Sequence, residues 1–437
     1  MTELDRALEE FRRLHPRKID LGLDRIERVL AALGNPQDKL PTAIHVAGTN
    51  GKGSTVALLR AMLEASGAKV HVYTSPHLVR FNERIVLAGE EIDDDRLINV
   101  LHRVRDANDG QPLSFFEATT AAAFLAFSEV DADYAIIEVG LGGRYDATNI
   151  FTPDVCAITP IDFDHAEFLG REIKGIAFEK AGIIKPDVPV FVSPQREEVR
   201  TLLQGVSEER GAPMQAWGQD FRAYRQQGRL VFETERELLD LSLPALAGEH
   251  QIMNAGLTVA IAKHLGLTPD IISNGLEAAK WPARMQPLHH GPLVEIASEV
   301  GAEVWLDGGH NPHAAQALSA HMASLEARSP KPLVLIMGIL ANKNAGAFLD
   351  YFEGLAAGLV TVDIADHASL SADVLTELAG SRGLATVTGN NLTDAMQKAV
   401  NMGQALSRQT VDEPIIAPRI LICGSLYLAG QVLADNS

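Results

Sequence analysis

The segment HVAGTNGKGST, from His45 to Thr55, decides how the first half of the chain is interpreted. It resembles a phosphate-binding loop but does not follow the pattern G-x-x-x-x-G-K-[ST]. Val46 and Gly53 stand where that pattern requires a glycine and a hydroxyl residue, and the hydroxyls follow one position later, at Ser54 and Thr55. An apolar run precedes the loop and an amphipathic pattern follows it. The sequence therefore predicts a strand, a glycine-rich turn and a helix in that order.

This order of elements favours a nucleotide site. Glycines let successive backbone N–H groups turn toward one anion, and the helix N-terminus adds its partial positive charge. Lys52 would reach phosphate oxygens, and the hydroxyl of Ser54 or Thr55 would hold Mg²⁺. The alternative is a plain strand-to-helix turn with an incidental lysine. The candidate ATP-binding residues of the loop are Gly48, Thr49, Asn50, Gly51, Lys52, Gly53, Ser54 and Thr55.

Composition limits the class of protein. With 437 residues, 46% hydrophobic and 22% charged, the chain is a globular protein of two domains. Its 38 basic and 57 acidic residues give a net charge of −19, which argues against nucleic-acid or membrane partners. Cys156 and Cys423 lie in separate apolar runs, which indicates two buried free thiols. Because neither a signal peptide nor a membrane span is visible, a soluble cytoplasmic protein is expected.

From Ile44 onward, short apolar runs alternate with helical patterns, which predicts an α/β fold with a parallel sheet. Residues 216–235 alternate polar and apolar side chains and predict a small antiparallel excursion. The segment WPARMQPLHHGP holds three prolines and ends the helical patterning. We therefore predict a P-loop-type ATPase domain over residues 1–287 and a smaller Rossmann-like α/β domain over residues 288–437.

Acidic and histidine side chains follow two other strands. Glu138 ends the run DYAIIE, where an acid could hold the metal of a nucleotide site. The GLGG that follows is not a dinucleotide fingerprint, because RYDATN rather than a helix comes next. Asp164 and His165 stand at another strand end, where His165 is either a metal ligand or a structural hydrogen-bonding residue.

Eleven motifs then occur in one order over nearly the whole chain: HVAGTNGKGST, TSPHL, FNERI, FFEATT, IIEVGLGGRYDATN, DHAEFLG, EKAGIIK, HQIMNA, WPARMQ, DGGHNPHA and CGSLYLAG. This set resembles the folylpolyglutamate synthase/dihydrofolate synthase family, within the wider group of Mur-ligase-like ATP-dependent amide ligases. The Gly53–Ser54 ending of the loop is similar to the folate branch. The chain departs from the family pattern at Pro160 and Asp162.

The resemblance implies that ATP phosphorylates a carboxylate and that the amine of L-glutamate attacks the resulting acyl phosphate. Lys52 would hold the ATP phosphates, Ser54 and Glu138 a first Mg²⁺, and His165 a second metal ion. Lys180 matches a lysine that the family can carry as a carbamate, so Lys52, His165 and Lys180 are the catalytic candidates. An unmodified lysine on a surface helix is the alternative for Lys180.

The remaining site residues also come from the resemblance. Asn254, Arg284, Asp307 and His310 match positions that hold the adenine, ribose and phosphates, and the second domain would contribute to ATP and glutamate binding. A helix-surface amide and a boundary salt bridge are the alternatives for Asn254 and Arg284. Ser114, Phe116 and Asp146 would hold the pterin end of the acceptor, although Phe116 could equally be core.

The expected acceptors are 7,8-dihydropteroate and reduced folates, and a monomer is expected. Three alternatives stay open at this point: a single-activity folylpolyglutamate synthase, a Mur-type ligase with another carboxylate acceptor, and a nucleotide-gated binding module.

Overall fold

A computed structural model describes residues 2–14, 22–365, 367–407 and 416–436. The chain forms two compact units. The first comprises Met1–Ala245 and Gln251–Lys280, and the second comprises Leu246–His250 and Trp281–Ser437. Among the described residues, no helix is both long and apolar enough to cross a membrane.

An eight-stranded sheet forms the centre of the first unit. Its strands are β1 (Thr42–Ala47), β2 (Val70–Tyr73), β3 (Ile85–Leu87), β4 (Glu90–Glu91), β5 (Tyr134–Glu138), β6 (Val155–Ile158), β7 (Val190–Val192) and β8 (Met214–Ala216). They lie in the order β4-β3-β2-β5-β1-β6-β7-β8. Strand β1 pairs in parallel with β5 and β6, while β3 and β4 add an antiparallel edge. The carboxyl ends of β1 and β5 therefore meet, with Val46 opposite Glu138.

Ten helices belong wholly or mainly to this unit: α1 (Glu3–Leu14), α2 (Asp24–Ala32), α3 (Lys52–Ala65), α4 (Asp94–Asn108), α5 (Phe115–Phe127), α6 (Ala166–Leu169), α7 (Ile173–Ala181), α8 (Glu197–Glu209), α9 (Glu249–His264) and α10 (Pro269–Ala278). Two 3₁₀ turns span Pro36–Lys39 and Phe81–Arg84. Alternate residues of a strand point to opposite faces. Ala43 and Ile44, on opposite faces of β1, are both buried, so helices cover the sheet on both sides.

The predicted antiparallel excursion is confirmed as a three-stranded sheet. Strand β10 (Arg229–Thr234) pairs with β9 (Phe221–Gln226) and with β11 (Leu238–Leu241), both in the antiparallel sense. The Trp217 ring, just before β9, lies against Gly256 of α9, where a Cβ would come within 2.4 Å of it. The small sheet is thereby attached to a helix of the first unit.

The second unit contains a six-stranded sheet in the order β12-β13-β17-β14-β15-β16. The strands are β12 (Gln286–Leu288), β13 (Glu303–Leu306), β14 (Leu333–Met337), β15 (Ala356–Thr361), β16 (Ala385–Thr388) and β17 (Arg419–Cys423). Its helices are α11 (Pro292–Ser298), α12 (Pro312–Arg328), α13 (Ala345–Asp350), α14 (Ala372–Gly380), α15 (Leu392–Ser407) and α16 (Leu426–Asp435). Among the strands that the structure describes in this sheet, only β12 pairs antiparallel, so the predicted smaller α/β unit is confirmed.

The boundary between the two units differs from the one predicted from the three prolines of WPARMQPLHHGP. The chain enters the second unit at Trp281 rather than after residue 287, and residues 246–250 also belong to that unit. The reason lies in strand pairing, because Gln286–Leu288 is bonded to β13 as an edge strand. A proline pattern alone does not reveal such a pairing, since Pro287 is compatible with an edge strand.

Helix α10 packs closely on α3 through Gly275. A Cβ at this position would lie 2.4 Å from the Met62 Cα and 2.6 Å from its backbone nitrogen. A backbone cannot yield as a flexible side chain does, so the two helices would have to separate to admit a methyl group.

We expect Gly275→Ala to destabilise the first unit by about 1–3 kcal/mol, as overpacking does. Gly205→Ala is the matched control, because Gly205 lies exposed on α8 with nothing within 4 Å of an added Cβ. That control should be neutral or stabilising by about 0.5–1 kcal/mol, from helix propensity. Thermal unfolding would measure both, and a midpoint for Gly275→Ala at or above that of the unsubstituted protein would contradict the close contact.

Candidate functional site

Two glycines fix the shape of the loop between β1 and α3. Gly48 has φ 149°, and a Cβ there would lie 1.8 Å from the Thr159 hydroxyl oxygen. Gly51 has φ 90°, and its Cβ would lie 2.6 Å from the Asn254 amide oxygen. Both positions therefore exclude a side chain through conformation and through space. The loop passes tightly between β6 and α9 before α3 begins at Lys52.

Part of the loop backbone is bonded to the segment after β6. The amides of Thr49 and Asn50 both donate to the Pro160 carbonyl, at 2.9 and 3.3 Å. The Thr49 hydroxyl donates to the Asp162 carbonyl at 2.9 Å. The expected cradle of successive amides is thus narrower than the sequence suggested, because two of them already have a protein acceptor. The anion-binding groups that remain are those at the N-terminus of α3, whose first amides have no partner within the helix.

Two lysines converge on one carbonyl of this loop. Lys52 Nζ donates to the Gly48 oxygen at 3.3 Å, and Lys180 Nζ, from α7, donates to the same oxygen at 2.8 Å. Lys52 Nζ also lies 3.9 Å from a carboxylate oxygen of Glu138. Burial, reinforced by the nearby charge of Lys52, lowers the pKa of Lys180 to about 7. Lys180 is buried, so it is not a lysine on the helix surface.

Polar side chains continue from α3 to α9. The Gln251 amide donates to the Ser54 hydroxyl oxygen at 3.2 Å, and the Asn254 amide donates to the Gln251 oxygen at 2.9 Å. All three side chains are buried, which removes the helix-surface alternative for Asn254. The Thr55 hydroxyl is buried as well and has no hydrogen-bond partner. Gln251 was not identified from the sequence, although it stands in the HQIMNA motif.

Glu138 ends β5 and is almost fully buried beside the loop. Its Oε2 accepts from the Ser75 amide at 3.4 Å. Ser75 follows β2, the neighbour of β5, so three strand ends contribute to one place. Ser75 stands in the TSPHL motif, but no role for it follows from the sequence alone. The parallel order β2-β5-β1 was the missing information, since it decides which strand ends are adjacent.

His165 directly precedes the short helix α6 and adopts a left-handed conformation, with φ 51°. Its backbone amide donates to the Asp164 carboxylate at 2.8 Å, and its Nε2 lies 4.0 Å from the other Asp164 oxygen. The imidazole is 40% exposed, whereas the Asp164 side chain is 9% exposed. The accessible imidazole thus lies near a mostly enclosed carboxylate at the start of α6. The predicted strand-end position is wrong, because β6 ends earlier, at Ile158.

The oxygen atoms of Glu138, Ser54 and Thr55 suit a metal ion that takes its remaining ligands from substrate phosphates and water. In the described part of the chain, no three His, Cys, Asp or Glu side chains form a group that could hold a metal ion. Mg²⁺ does not require such a cage, because it is commonly bound by one or two carboxylates, substrate phosphates and water. The buried carboxylate of Glu138, with the Ser54 and Thr55 hydroxyls at the start of α3, fits that mode of binding.

The predicted acceptor residues have structural contacts of their own. Ser114 caps α5, accepting from the Glu117 amide at 3.2 Å, and the Glu117 carboxylate accepts in return from the Ser114 amide. Asp146 is buried and accepts from the Leu141 amide and the Thr148 hydroxyl at 2.7 and 2.6 Å. Burial raises the pKa of Asp146, and these bonds oppose that rise. Both residues thus shape the loops in which they stand.

Phe116 follows the Ser114 cap and is half-buried. Its ring stacks near Tyr73, with the centroids 6.2 Å apart, and a Cβ on Gly140 would lie 2.4 Å from it. Phe116 is therefore a partly open aromatic surface at the carboxyl end of β5. Its ring is neither fully buried in the core nor fully exposed to solvent.

Three predicted site residues form a separate group in the second unit. Asp307 directly follows β13 in a buried position and accepts from the Met285 and Gly309 amides, each at 2.7 Å. Burial raises the pKa of Asp307, which the charge of Arg284 partly opposes. His310 Nδ1 contacts the Gly308 carbonyl at 3.0 Å. Arg284 bonds the Ala283 carbonyl, and no boundary salt bridge involves it in the described ranges.

Comparison with known proteins agrees with this architecture. The Mur ligase middle domain matches residues 46–262, and the Mur ligase glutamate ligase domain matches residues 294–411. A structure of Escherichia coli FolC in complex with DHPP and ADP superposes with a TM-score of 0.87 at 30% identity, covering 99% of this chain and 97% of that one. A Yersinia pestis bifunctional folylpolyglutamate synthase/dihydrofolate synthase with Mn, AMPPNP and L-glutamate bound gives a TM-score of 0.84 at 28% identity, covering 99% and 98%.

Sequence relatives extend over the same length. The folylpolyglutamate synthase of Lacticaseibacillus casei is 35% identical over 93% of this chain and 92% of its own. The dihydrofolate synthase/folylpolyglutamate synthase of Escherichia coli K12 is 31% identical over 98% and 94%. The chain therefore belongs to the folylpolyglutamate synthase/dihydrofolate synthase family, and it is an ATP-dependent ligase of the Mur ligase type.

Proposed function

We propose that this ligase adds L-glutamate both to 7,8-dihydropteroate and to the γ-carboxylate of reduced folates. The observation that carries the proposal is the convergence of Lys52, Lys180 and Glu138 at the start of α3. These residues place two amino groups and a carboxylate beside a helix N-terminus. A site that activates a carboxylate with ATP needs this combination, because it must bring two anions together and neutralise their charge.

The proposed reaction proceeds in two displacements. The acceptor carboxylate attacks the γ-phosphorus of ATP and ADP leaves, which converts a poor electrophile into an acyl phosphate. The unprotonated amine of L-glutamate then attacks the acyl carbon, and the amide forms as phosphate leaves and the nitrogen loses a proton. Lys52 would neutralise charge on the transferring phosphoryl oxygens, a contribution that charged donors make in phosphoryl transfer generally.

Divalent ions would complete this arrangement. Glu138 and Ser54, which are almost fully buried, would hold one ion. His165, whose imidazole is 40% exposed, would hold a second. Bound Mg²⁺ would supply Lewis-acid stabilisation of the phosphate charge. Asp164 would orient His165 through its contact with the imidazole.

Lys180 would act as a carbamate. Carbamylation requires a neutral amine, and burial and the charge of Lys52 lower the pKa of Lys180 to about 7. The modification would replace a second cation beside Lys52 by an anion able to bind metal. A lysine with an ordinary pKa would be almost wholly protonated at neutral pH.

The other assignments follow the family. Asn254, Arg284, Asp307 and His310 would bind the nucleotide, the unit that begins at Trp281 would contribute to ATP and glutamate binding, and Ser114, Phe116 and Asp146 would hold the pterin end of the acceptor. Phe116 suits a flat heterocycle because its ring is half-buried beside Tyr73. A monomeric protein in the cytoplasm stays our expectation.

Phosphate release tests the proposal directly. Purified protein would be supplied with MgATP and L-glutamate, and with 7,8-dihydropteroate, tetrahydrofolate or no acceptor. Release with both acceptors is expected, because one site would serve both. Release with only one would assign a single activity, and release with neither would leave a Mur-type ligase for another carboxylate or a nucleotide-gated binding module.

We expect Lys52→Ala to lower kcat by about 10³-fold, because it removes a charged contact to the transferring phosphoryl group. Lys69→Ala is the control, since Lys69 is an exposed lysine just before β2. Phosphate release would measure both variants, and circular dichroism would check that they are folded. Near-normal turnover by folded Lys52→Ala would refute the phosphate-binding assignment.

We expect a carbamate carbonyl signal in ¹³C NMR when the protein is equilibrated with ¹³C-bicarbonate. With a pKa of about 7, the neutral fraction of Lys180 rises as pH increases through neutrality, and the signal should rise with it. Lys180→Ala should abolish the signal. Lys185→Ala should retain it, although burial lowers the pKa of Lys185 too. A signal that survives Lys180→Ala would place the modification elsewhere.

A further inference from the structure

Arg144 has an unusual setting in the loop after β5. Its guanidinium lies over two aromatic rings, 4.9 Å from the centroid of Tyr145 and 5.3 Å from that of Phe178. These distances are within the range of cation–π contacts. Both rings are themselves exposed, at 39% and 47% of their surface. The three side chains thus form a stacked group at the surface rather than part of the core.

The backbone at Arg144 is held firmly against α7. Its amide donates to the Glu179 carbonyl at 2.7 Å. A Cβ on Gly182 would lie 2.3 Å from the Arg144 Cα, so the two chain segments are in direct contact. The side chain therefore starts from a fixed point and is flanked by two rings, which reduces the entropy that it loses when it binds a ligand.

The guanidinium donors are not used by the protein. Within the ranges that the structure describes, no hydrogen bond or ion pair involves the Arg144 side chain, which is exposed. In the described ranges no ion pair joins the Glu179 carboxylate to this guanidinium, and Glu179 Oε2 is buried without a hydrogen-bond partner. An oriented, unneutralised cation is notable in a chain with a net charge of −19.

Arg144 is also close to the proposed reaction site along the chain. Asp146 follows it in the same loop, and Lys180 follows Glu179, the residue that accepts the Arg144 amide. An anion bound by Arg144 would thus lie beside the elements that hold the acceptor and the catalytic lysine.

We propose that Arg144 binds a carboxylate of the glutamate tail on folate-type acceptors, and is a specificity-determining residue for their extension. This inference rests on the proposed function. Dihydropteroate has a single carboxylate, which must be at the site of phosphoryl transfer. A glutamylated folate carries further carboxylates, and the planar guanidinium can bind one of them through two parallel hydrogen bonds.

The test compares acceptors in Arg144→Gln. The KM for tetrahydrofolate bearing three glutamates should rise by about tenfold, as expected for loss of a charge-assisted contact, with kcat little changed. The KM for dihydropteroate should stay within about twofold of its normal value. Arg144→Lys should recover only part of the loss, because lysine lacks the planar fork. Added salt should raise the KM for the tail-bearing acceptor in the unsubstituted protein more than in Arg144→Gln.

Arg196→Gln is the matched control. Arg196 also stacks on an exposed ring, that of Phe163, but its guanidinium is paired with Asp162 at 3.1 Å. That variant should leave the ratio of the two KM values unchanged. If Arg144→Gln changes the KM values of both acceptors equally, or changes neither, Arg144 does not bind the glutamate tail. If the unsubstituted protein releases phosphate with neither acceptor, the proposed function itself fails.

Discussion

The candidate site depends on the carbonyl of Gly48, because it is the acceptor shared by Lys52 and Lys180. The position of that oxygen depends on a backbone conformation of Gly48 that favours glycine, and Thr159 leaves no room for a side chain there. Two protonated amines at one oxygen repel each other, and the repulsion is greater in a buried site than in water. The neutral form is therefore favoured at the more buried group, which is Lys180. The conformation of Gly48, which packing requires, thus brings Lys180 close to Lys52 and favours the neutral amine of Lys180.

A strongly acidic protein can still bind an anionic substrate if a few cationic groups lie at the binding site. The net charge of −19 disfavours polyanions in general. Locally, however, Lys52 and the N-terminus of α3 provide positive potential at the end of β1. Arg144 adds a second cation, which contacts two aromatic rings rather than a carboxylate. Binding is thereby restricted to ligands whose charges match these positions.

Several predicted site residues are required by the fold as well. Ser114 caps α5 and Asp146 closes the loop after β5, so substitution of either would disturb the backbone besides any contact with an acceptor. The chain departs from the family pattern at Pro160, and the carbonyl of this residue accepts hydrogen bonds from two amides of the loop. Loss of activity at such positions would not separate binding from folding. Arg144 is better suited to that question, because its guanidinium makes no hydrogen bond or ion pair within the part of the chain that the structure describes.

The sequence by itself determined the α/β class, the strand–turn–helix unit at Gly48–Gly53, the antiparallel excursion and the strand-end position of Glu138. These features follow from local periodicity and from glycine conformation, which a sequence carries directly. His165 was predicted at a strand end, but it directly precedes α6, well after β6 ends at Ile158. Among the elements not predicted individually are the helices α4, α10 and α15 and the edge strands β3, β4 and β16. A short edge strand has little pattern of its own.

Only the tertiary structure decided that Lys180 is buried, that Ser75 lies beside Glu138, and that the Thr49 and Asn50 amides are bonded to Pro160. It also decided that the chain enters the second unit at Trp281. In each case the deciding partner is far away in the chain. Burial and hydrogen-bond partners depend on strand order and helix docking, which are set by contacts between distant segments and not by local sequence.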